Sequence, residues 1–223
     1  MALAWGNTRN RKERMDHKQK AFAELKAVIR KCKRCRLYLT RTNVLCGEGN
    51  LHAPLMLIAQ APGQNEDREG RMFIGPSGKV LEELLDEAGI RRDEIYMTNL
   101  IKCRLPKNRR PKQTEIEACS SFLEKEIALI DPEVLIPLGY YSARFILNKY
   151  NITIPDSRAE FSGLYGELFQ AQYKRIYPLP HPAALLYDKS YKPLALEKYG
   201  MLRFLLETNK RSAHLLDAGT DEQ

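Results

Sequence analysis

The stretch Pro54-Leu-Met-Leu-Ile-Ala59, followed by Gln60-Ala-Pro-Gly63, decides the fold of this chain. A short run without any polar side chain predicts a strand that is buried on both faces, as in a parallel sheet. Gln60–Gly63 predicts a turn, because Pro and Gly interrupt regular structure. A sheet of such strands requires helices on both of its faces.

Further strands and amphipathic helices alternate on both sides of this stretch. Strands are predicted over residues 94–101, 132–138 and 174–179. Helices are predicted over residues 16–30, 77–89, 114–130, 141–150 and 192–207, with Ser77 as the cap of the second. This alternation predicts an α/β fold, a three-layer αβα sandwich with a central four-stranded, mostly parallel sheet.

Length and composition predict one domain of ordinary globular type. The chain has 223 residues, of which 43% are hydrophobic and 29% charged. We expect a flexible basic tail over residues 1–15, a single domain over residues 16–207 and a flexible tail over residues 208–223. No apolar run approaches the ~18–20 residues of a membrane span. No N-terminal run has signal-peptide length, so we expect a cytoplasmic protein with no membrane partner.

The positive charge lies at one end of the chain. The net charge is +8, and residues 1–36 contain 12 basic and 3 acidic residues. The other residues are nearly balanced in charge. A basic segment beside a neutral body indicates a polyanionic partner such as a nucleic acid. A solvated tail without any partner explains the same pattern.

Five cysteines in a chain expected in a reducing compartment favour metal or redox chemistry over disulfides. Cys32 and Cys35 form a Cys-x2-Cys pair, and Cys103 and Cys119 follow far downstream. Four such ligands suit zinc or an iron–sulfur cluster, and spacing alone does not choose between them. Four unrelated cysteines remain a third interpretation. Cys46 lies in an apolar stretch and is predicted to be a small buried residue.

Ligands of parallel α/β sheets bind beyond the carboxyl ends of the strands. This rule selects four loops, at residues 60–63, 99–103, 139–141 and 180–183. The first continues into a loop with many Gly and Pro residues that contains Phe73. The second contains Asn99 and runs into residues 102–112, which carry six basic side chains and no acidic one. The fourth contains His181. Taken singly, Asn99 and His181 are more often structural than catalytic.

Taken together, these motifs resemble the uracil-DNA glycosylase superfamily, most closely its family-4, iron–sulfur-containing branch. The resemblance covers roughly residues 25–205. It rests on the following pieces, in this order: Cys32-x2-Cys35, Gly47-Glu-Gly49, the Ala-Pro-Gly loop with Glu66-Asp67 and Phe73, Thr98-Asn99, Lys102-Cys103-Arg104 with Asn108-Arg109 and Pro111, Cys119, and His181-Pro182-Ala183. Seven matches in one order are far more specific than any one of them.

The resemblance implies a DNA-repair enzyme that flips uracil out of DNA and hydrolyses its N-glycosidic bond. It implies a [4Fe–4S] cluster on Cys32, Cys35, Cys103 and Cys119, with a structural role. The implied partner is uracil-containing DNA, single- or double-stranded, and the implied product is free uracil. We expect a monomer.

Family positions also imply roles for individual residues. Phe73 would stack on the flipped uracil. Asn99 would read the Watson–Crick edge of uracil, accepting from N3–H and donating to O4. His181 would hydrogen-bond O2 as negative charge develops on the leaving base. A core Phe, a strand-capping Asn and a packed loop His are the corresponding structural interpretations.

The group that activates water is less well defined by the motifs. Many family-4 members have Glu where this chain has Gln60, and Ala61 replaces the catalytic Asp of the efficient uracil-specific branch. Gln60 can position water or bind uracil O2, but it cannot take a proton. Glu66 is the nearby carboxylate that orients or deprotonates water, or else it forms a loop salt bridge. The departure at Gln60 leaves open a weaker activity or another deaminated base.

DNA contacts are expected from the basic loop and from the loop after His181. The candidates are Arg104, Lys107, Asn108, Arg109, Arg110 and Lys112. Leu185 or Leu186 would supply an apolar wedge for the gap left by the flipped base, or else both belong to the core. Two other functions stay open: a superfamily member acting on another base such as hypoxanthine, and a non-enzymatic nucleic-acid-binding protein with a metal centre.

Overall fold

Helices and strands alternate along the chain in the computed structural model, which describes the backbone of residues 3–218 and the side chains of residues 16–208. The helices are α1 (Leu3–Arg30), α2 (Gln64–Glu69), α3 (Pro76–Glu87), α4 (Gln113–Ile130), α5 (Tyr140–Lys149), α6 (Arg158–Phe161), α7 (Ala184–Tyr187) and α8 (Lys192–Ala218). The strands are β1 (Glu48–Gly49), β2 (Leu55–Ala59), β3 (Ile95–Asn99), β4 (Val134–Pro137), β5 (Phe169–Ala171) and β6 (Lys174–Ile176).

The strands form one sheet in the order β1-β3-β2-β4-β6-β5. The inner strands β3, β2, β4 and β6 are parallel, as the sequence predicts. Two short antiparallel strands extend the edges, so the sheet has six strands instead of the predicted four. Strands of two and three residues are too short to show a periodic pattern, which explains why the sequence does not reveal them.

Two hydrophobic cores, one on each face of the sheet, give the fold its three layers. All five residues of β2 are buried, and they alternate between the cores. Met56 and Ile58 join the core that also contains residues of α1, α4 and α5. Leu55 and Leu57 join the core formed with α3 and α8. The predicted αβα sandwich is therefore confirmed.

Some boundaries differ from the sequence prediction. Helix α3 begins at Pro76 after Gly75, so Ser77 lies inside the helix and is not its cap. Proline suits the first turn because its missing N–H has no helical partner there. The backbone of α1 is helical from Leu3 and that of α8 as far as Ala218. The side chains of both predicted tails lie outside the described residues, apart from Thr208, and the flexibility of the tails stays a prediction.

No helix among the described residues is both long and apolar enough to cross a membrane.

Candidate active site

The predicted loops meet at one edge of the sheet, beyond the carboxyl ends of the parallel strands. Ala59 and Asn99 are partners at the ends of β2 and β3. The backbone N–H of Gly139 donates to the carbonyl of Leu179 over 2.8 Å, which brings the loop after β4 against the segment leading to His181. Parallel strands end side by side, so the four loops share this edge.

A small pocket lies among these loops and encloses about 30 Å³. We call it the base pocket. Its walls are Ala59, Ala61, Pro62, Gly63, Glu66, Met72, Phe73, Ser77, Asn99 and His181. Five of these residues were predicted as site residues from the sequence. The sixth, Gln60, lies on the wall of an adjoining open groove instead.

Phe73 and His181 form opposing parts of the base pocket. Their ring centroids are 6.4 Å apart with an angle of 33° between the planes. Phe73 has a positive φ of 52°. Its backbone lies against Gly78 of α3, where there is no room for a side chain. A Cβ at Gly78 would lie 2.1 Å from the Phe73 carbonyl oxygen. The strained loop is thus fitted closely to the start of α3.

The arginine that holds this loop was not found from the sequence. Arg92 donates from Nη2 to the carbonyl of Met72 over 2.8 Å and from Nη1 to the carbonyl of Phe73 over 3.3 Å. Glu82 in turn pairs with Arg92 Nη1 at 3.1 Å. No sequence motif marks these contacts, because they join two loops through backbone carbonyls.

The hydrogen bonds of His181 define its tautomer. The backbone N–H of Ala183 donates to His181 Nδ1 over 3.1 Å. Since an amide N–H can only donate, Nδ1 carries no proton and the neutral ring carries its proton on Nε2. Burial lowers the pKa of His181 to about 4, so the ring is neutral at physiological pH.

Asn99 lies at the end of β3 and is almost fully buried. Its Nδ2 lies 3.1 Å from the sulfur of Met72, a weak acceptor. Its backbone carbonyl accepts from Lys102 Nζ over 2.8 Å. An amide with a weak partner beside a pocket is able to exchange that partner for a ligand.

Lys102 belongs to a buried polar cluster behind Asn99. Its ammonium forms an ion pair with Glu126 and donates to Thr98 Oγ1 over 2.6 Å. Glu126 also accepts from the backbone N–H of Gly47 over 3.0 Å. Lys102 and Glu126 are each at most 1% exposed. The sequence places Lys102 in the basic run and in the Lys102-Cys103-Arg104 motif, and neither pattern reveals that its charge is internal.

Glu66 holds the loop of Phe73, and it forms no salt bridge with any side chain of residues 16–208. Its Oε1 accepts from the backbone N–H groups of Ile74 at 3.0 Å and Gly75 at 2.6 Å. Its Oε2 lies against Gly63, where a Cβ would approach it to 2.5 Å. Glu66 therefore lines the base pocket, and its Oε1 orders the loop. Asp67 points elsewhere and binds the backbone of residues 42–43.

An open groove of about 750 Å³ adjoins the base pocket. We call it the entry groove, and its walls include Gln60, Asn108, Arg158, Leu186 and Tyr187. Leu186 is 45% exposed. Leu185, the other wedge candidate, is buried in the core with α3 and α8. This placement corrects the prediction for Leu185, because consecutive residues of a short helix point in different directions.

The basic run divides between solvent and internal contacts. Lys107, Asn108, Arg110 and Lys112 are exposed. Arg109 forms an ion pair with the buried Glu115, with Nη2 2.5 Å from Oε1. Arg104 is half-buried, and its Nε has no hydrogen-bond partner among the described residues. The exposed residues of the basic run are therefore the ones able to contact a DNA phosphate.

One pocket is lined by all four cysteines that were predicted as ligands: Cys32, Cys35, Cys103 and Cys119. We call it the cysteine pocket; it encloses about 10 Å³. Within residues 16–208, no group of three or more His, Cys, Asp or Glu side chains is arranged to hold a metal ion. Cys46 is not among its walls.

The cysteine pocket supplies hydrogen bonds to two of its sulfurs. Arg41 Nη1 donates to Cys103 Sγ over 3.1 Å, and the backbone N–H of Lys102 donates to Cys119 Sγ over 3.3 Å. Burial raises the pKa of the Cys119 thiol to about 11. Thiolates in such a place need positive charge for their stability, and N–H···S bonds together with bound iron supply it. The donor set therefore fits an iron–sulfur cluster.

Comparisons with known proteins agree with this geometry. The model of the Uracil DNA glycosylase superfamily matches residues 46–199. A "Type-4 uracil-DNA glycosylase" of Sulfurisphaera tokodaii is 36% identical over 196 residues, 86% of this chain and 87% of that protein. Proteins of the same name from Saccharolobus solfataricus and Thermotoga maritima are 38% and 39% identical. They are matched over 81% and 73% of this chain, and over 84% and 81% of their own lengths.

The chain therefore belongs to the uracil DNA glycosylase superfamily, in the branch of the type-4 uracil-DNA glycosylases.

Proposed function

We propose that this protein removes uracil from DNA by hydrolysing the N-glycosidic bond, which leaves an abasic site. The observation that carries the proposal is the base pocket, where Phe73, Asn99 and a neutral His181 surround one small space. Duplex DNA hides the glycosidic bond, so the nucleotide has to leave the base stack before it enters such a pocket. Relatives named for this activity over most of their length support the same conclusion.

Two of these residues would recognise the base. The ring of Phe73 offers a stacking surface, and stacking of one base on an aromatic ring contributes ~1–3 kcal/mol. The amide of Asn99 would donate to uracil O4 and accept from N3–H. Cytosine presents the opposite pattern at these two positions, so a correctly oriented amide rejects it.

His181 would stabilise the leaving base. As the bond between C1′ and N1 breaks, both electrons remain on uracil and negative charge develops on O2. The Nε2–H of the neutral imidazole is a donor for that oxygen, and the Ala183 N–H keeps the ring in this tautomer. A donor placed where charge develops lowers the barrier more than it strengthens substrate binding.

Water completes the reaction by adding to C1′ and losing a proton to the solvent or to a base. Gln60 faces the entry groove and would position this water without accepting the proton. Glu66 would orient water through Oε2, while its Oε1 remains bonded to the loop amides. Ala61 would line the base beside them. A reaction in which uracil departs early needs little activation of water, and this suits a site without the family carboxylate at residue 60.

We further propose that Cys32, Cys35, Cys103 and Cys119 hold a [4Fe–4S] cluster. When bound, the cluster would join α1, the loop after β3 and α4 as a structural element. The cluster is preferred to zinc, because the four cysteines belong to the ordered set of motifs that resembles the iron–sulfur-containing branch. Arg41 would offset the negative charge of the ligated thiolates.

The exposed residues Lys107, Asn108, Arg110 and Lys112 would bind DNA phosphates, and Leu186 would fill the gap left in the base stack. Arg104 and Arg109 would contribute less, because Arg104 is half-buried and Arg109 is already paired with Glu115. The expected product is free uracil. We expect a monomer in the cytoplasm.

The direct test uses end-labelled oligonucleotides with a single uracil, thymine, hypoxanthine or xanthine. The protein is expected to produce alkali-labile sites at uracil in single- or double-stranded DNA. Cleavage only at hypoxanthine would instead assign another base to the pocket. An absence of cleavage at uracil in both kinds of DNA would refute the proposed function.

The role of Asn99 has its own test. Asn99→Asp replaces the amide donor by an oxygen. We therefore expect the preference for uracil over cytosine to fall at least tenfold. One bidentate base contact contributes ~1–3 kcal/mol to such discrimination. The measurement is the ratio of single-turnover rates on uracil and cytosine substrates. Asn148→Asp, at an exposed amide of α5 outside the walls of the base pocket, serves as the control. An unchanged ratio in Asn99→Asp would refute the role.

A further inference from the structure

A second pocket, which we call the tyrosine pocket, lies next to the base pocket and shares His181 with it. It encloses about 430 Å³, within the roughly 300–1,000 Å³ of ligand sites. Its walls are Gly139, Tyr140, Arg158, Ser162, Tyr165, Pro180, His181, Ala184, Asp188 and Tyr191. None of the roles assigned above uses its three tyrosines.

The aromatic walls of this pocket are held in place by a buried ring. Phe161 packs edge-on against Tyr140 at 4.9 Å and against Tyr165 at 6.0 Å between ring centroids. The backbone carbonyl of Tyr165 accepts from Lys198 Nζ over 2.5 Å. Each of the three tyrosines is half-buried and keeps part of its side chain accessible. The pocket therefore presents aromatic surface that is already ordered.

Positive charge lies at the rim. The guanidinium of the exposed Arg158 lies 4.8 Å from the centre of the Tyr140 ring. Arg144 Nη1 donates to the hydroxyl of Tyr140 over 2.6 Å. The one carboxylate in the pocket wall, Asp188, accepts from both the backbone N–H and the hydroxyl of Ser190. The rim thus combines arginine charge with aromatic faces, a pairing that binds single-stranded nucleic acid.

The tyrosine pocket is also continuous with the path of the substrate. Arg158 and Ala184 line both this pocket and the entry groove, and His181 lines all three spaces. A strand that places one nucleotide against His181 brings its neighbour within reach of the tyrosines. Stacking on an aromatic ring accepts any base, because every base has a π-face.

We propose that the tyrosine pocket binds the nucleobase next to the excised uracil when the substrate is single-stranded DNA. Tyr165 and Tyr191 would stack on this base, and Arg158 would bind the phosphate between the two nucleotides. In duplex DNA the neighbouring base stays in the base stack, so the contact belongs to single strands. This inference rests on the proposed function, because it takes the base pocket as the site of the flipped uracil.

The first experiment removes the neighbouring base from the ligand. Single-stranded oligonucleotides carry a 2′-fluorinated deoxyuridine, which resists cleavage, and a tetrahydrofuran abasic residue on its 5′ or its 3′ side. Binding is measured by fluorescence anisotropy. We expect about a tenfold loss of affinity for one of the two positions, as for one lost stacking contact. An oligonucleotide with the abasic residue several nucleotides away is the control. Equal affinity for all of them would overturn the proposal.

The second experiment removes the tyrosines in turn. Tyr165→Ala and Tyr191→Ala are expected to bind the intact strand about tenfold more weakly and to lose sensitivity to the abasic neighbour. Tyr173→Ala, at an exposed tyrosine of the β5–β6 turn, should keep both the affinity and the sensitivity. Weak binding by the two pocket variants with undiminished sensitivity would contradict a stacking role. Because the first experiment uses the unaltered protein, it decides the proposal even if one variant fails to fold.

Excision of uracil is scored separately, so the two proposals fail in different ways. Cleavage at uracil with no effect of the neighbouring base refutes the tyrosine pocket alone. No cleavage at uracil refutes the proposed function, and with it the proposal that the tyrosine pocket binds the base next to the uracil.

Discussion

At the residue scale, His181 shows how one hydrogen bond defines a chemical role. The motif predicts a histidine near a leaving group, but it says nothing about its protons. The backbone N–H of Ala183 assigns the proton to Nε2, and burial keeps the ring neutral. A neutral imidazole still has its Nε2–H, and this donor can stabilise a developing anion without the ring being protonated.

The low pKa of His181 predicts a particular pH dependence. In the proposed mechanism the neutral form is the active one, and it persists until the pH approaches the pKa of about 4. We expect the single-turnover rate at saturating enzyme to be flat from pH 8 down to about 5.5, and to fall as the pH approaches 4. A histidine with an ordinary pKa near 6.5 would already lose about tenfold at pH 5.5.

The control for this profile is His181→Ala. Its residual rate is expected to show no decline attributable to an imidazole, and its DNA affinity should stay near that of the parent protein. Equal losses of rate and affinity in this variant would contradict the leaving-group role.

Lys102 is the second residue whose role only the structure defines. Its ammonium holds the carbonyl of Asn99, while its backbone N–H reaches Cys119 Sγ in the cysteine pocket. A buried ion pair often adds little stability over apolar residues of similar size. Its contacts instead indicate that it positions Asn99, the residue proposed to read the base.

The test removes both charges of this pair. Lys102→Met together with Glu126→Gln leaves no unpaired buried charge, which alone would cost about 3–5 kcal/mol. We expect the uracil-to-cytosine rate ratio to fall about tenfold, as for a partly misplaced bidentate contact. Lys149→Met with Glu124→Gln, at a more exposed ion pair, is the matched control. A loss of thermal stability with an unchanged ratio would show a purely structural role.

At the element scale, the loop between β2 and α3 depends on contacts from outside itself. Gly78 lets the backbone of Phe73 lie directly on α3, and Glu66 binds the backbone N–H of Gly75, the residue before that helix. Arg92, in the segment before β3, binds two carbonyls of the same loop. The aromatic wall of the base pocket is therefore positioned by two neighbouring elements.

Arg92→Met is expected to lower the rate by misplacing Phe73. Two hydrogen bonds from a charged group are lost, each worth about 1.5–3 kcal/mol. We expect kcat/KM on uracil DNA to fall at least tenfold at a temperature where the variant remains folded. Arg91→Met, which removes an exposed pair with Asp93, is the control and should behave like the parent. Equal rates for the two variants would show that the loop holds its shape without Arg92.

At the scale of the whole molecule, the cysteine pocket joins segments that are far apart in sequence. Cys32 and Cys35 follow α1, Cys103 follows β3 and Cys119 lies within α4. A group bound there would connect the N-terminal helix to the loop that leads from Asn99 to the basic run. The proposed cluster would therefore stabilise the molecule close to its substrate site while remaining outside the base pocket.

Substitution of one proposed ligand tests this arrangement. Cys119→Ser is expected to lower the broad absorbance near ~400 nm of the purified protein and its melting temperature. Cys46→Ser, at a cysteine outside the pocket, should leave the absorbance unchanged. Stoichiometric zinc in a colourless parent protein would refute the cluster.

The sequence by itself predicted the three layers, because a run such as residues 54–59 is stable only between two apolar faces. It also predicted that the loops that contain Phe73, Asn99 and His181 meet at one edge, because parallel strands end side by side. The roles of these residues came from the resemblance to a family and stay predictions. The order of the motifs likewise implied, through the resemblance, that the four cysteines are ligands of one cluster. The edge strands β1 and β5 were missed, because two or three residues show no periodicity.

Only the tertiary structure decided which neighbours each group meets. Leu185 is buried in the core, whereas Leu186 lines the entry groove. Lys102 is buried in an ion pair, whereas Lys107 of the same basic run is exposed. The tertiary structure also brought Tyr140, Tyr165 and Tyr191 from three separate segments to one pocket beside His181. Such contacts depend on the packing of distant segments, and the local pattern of a sequence contains no record of them.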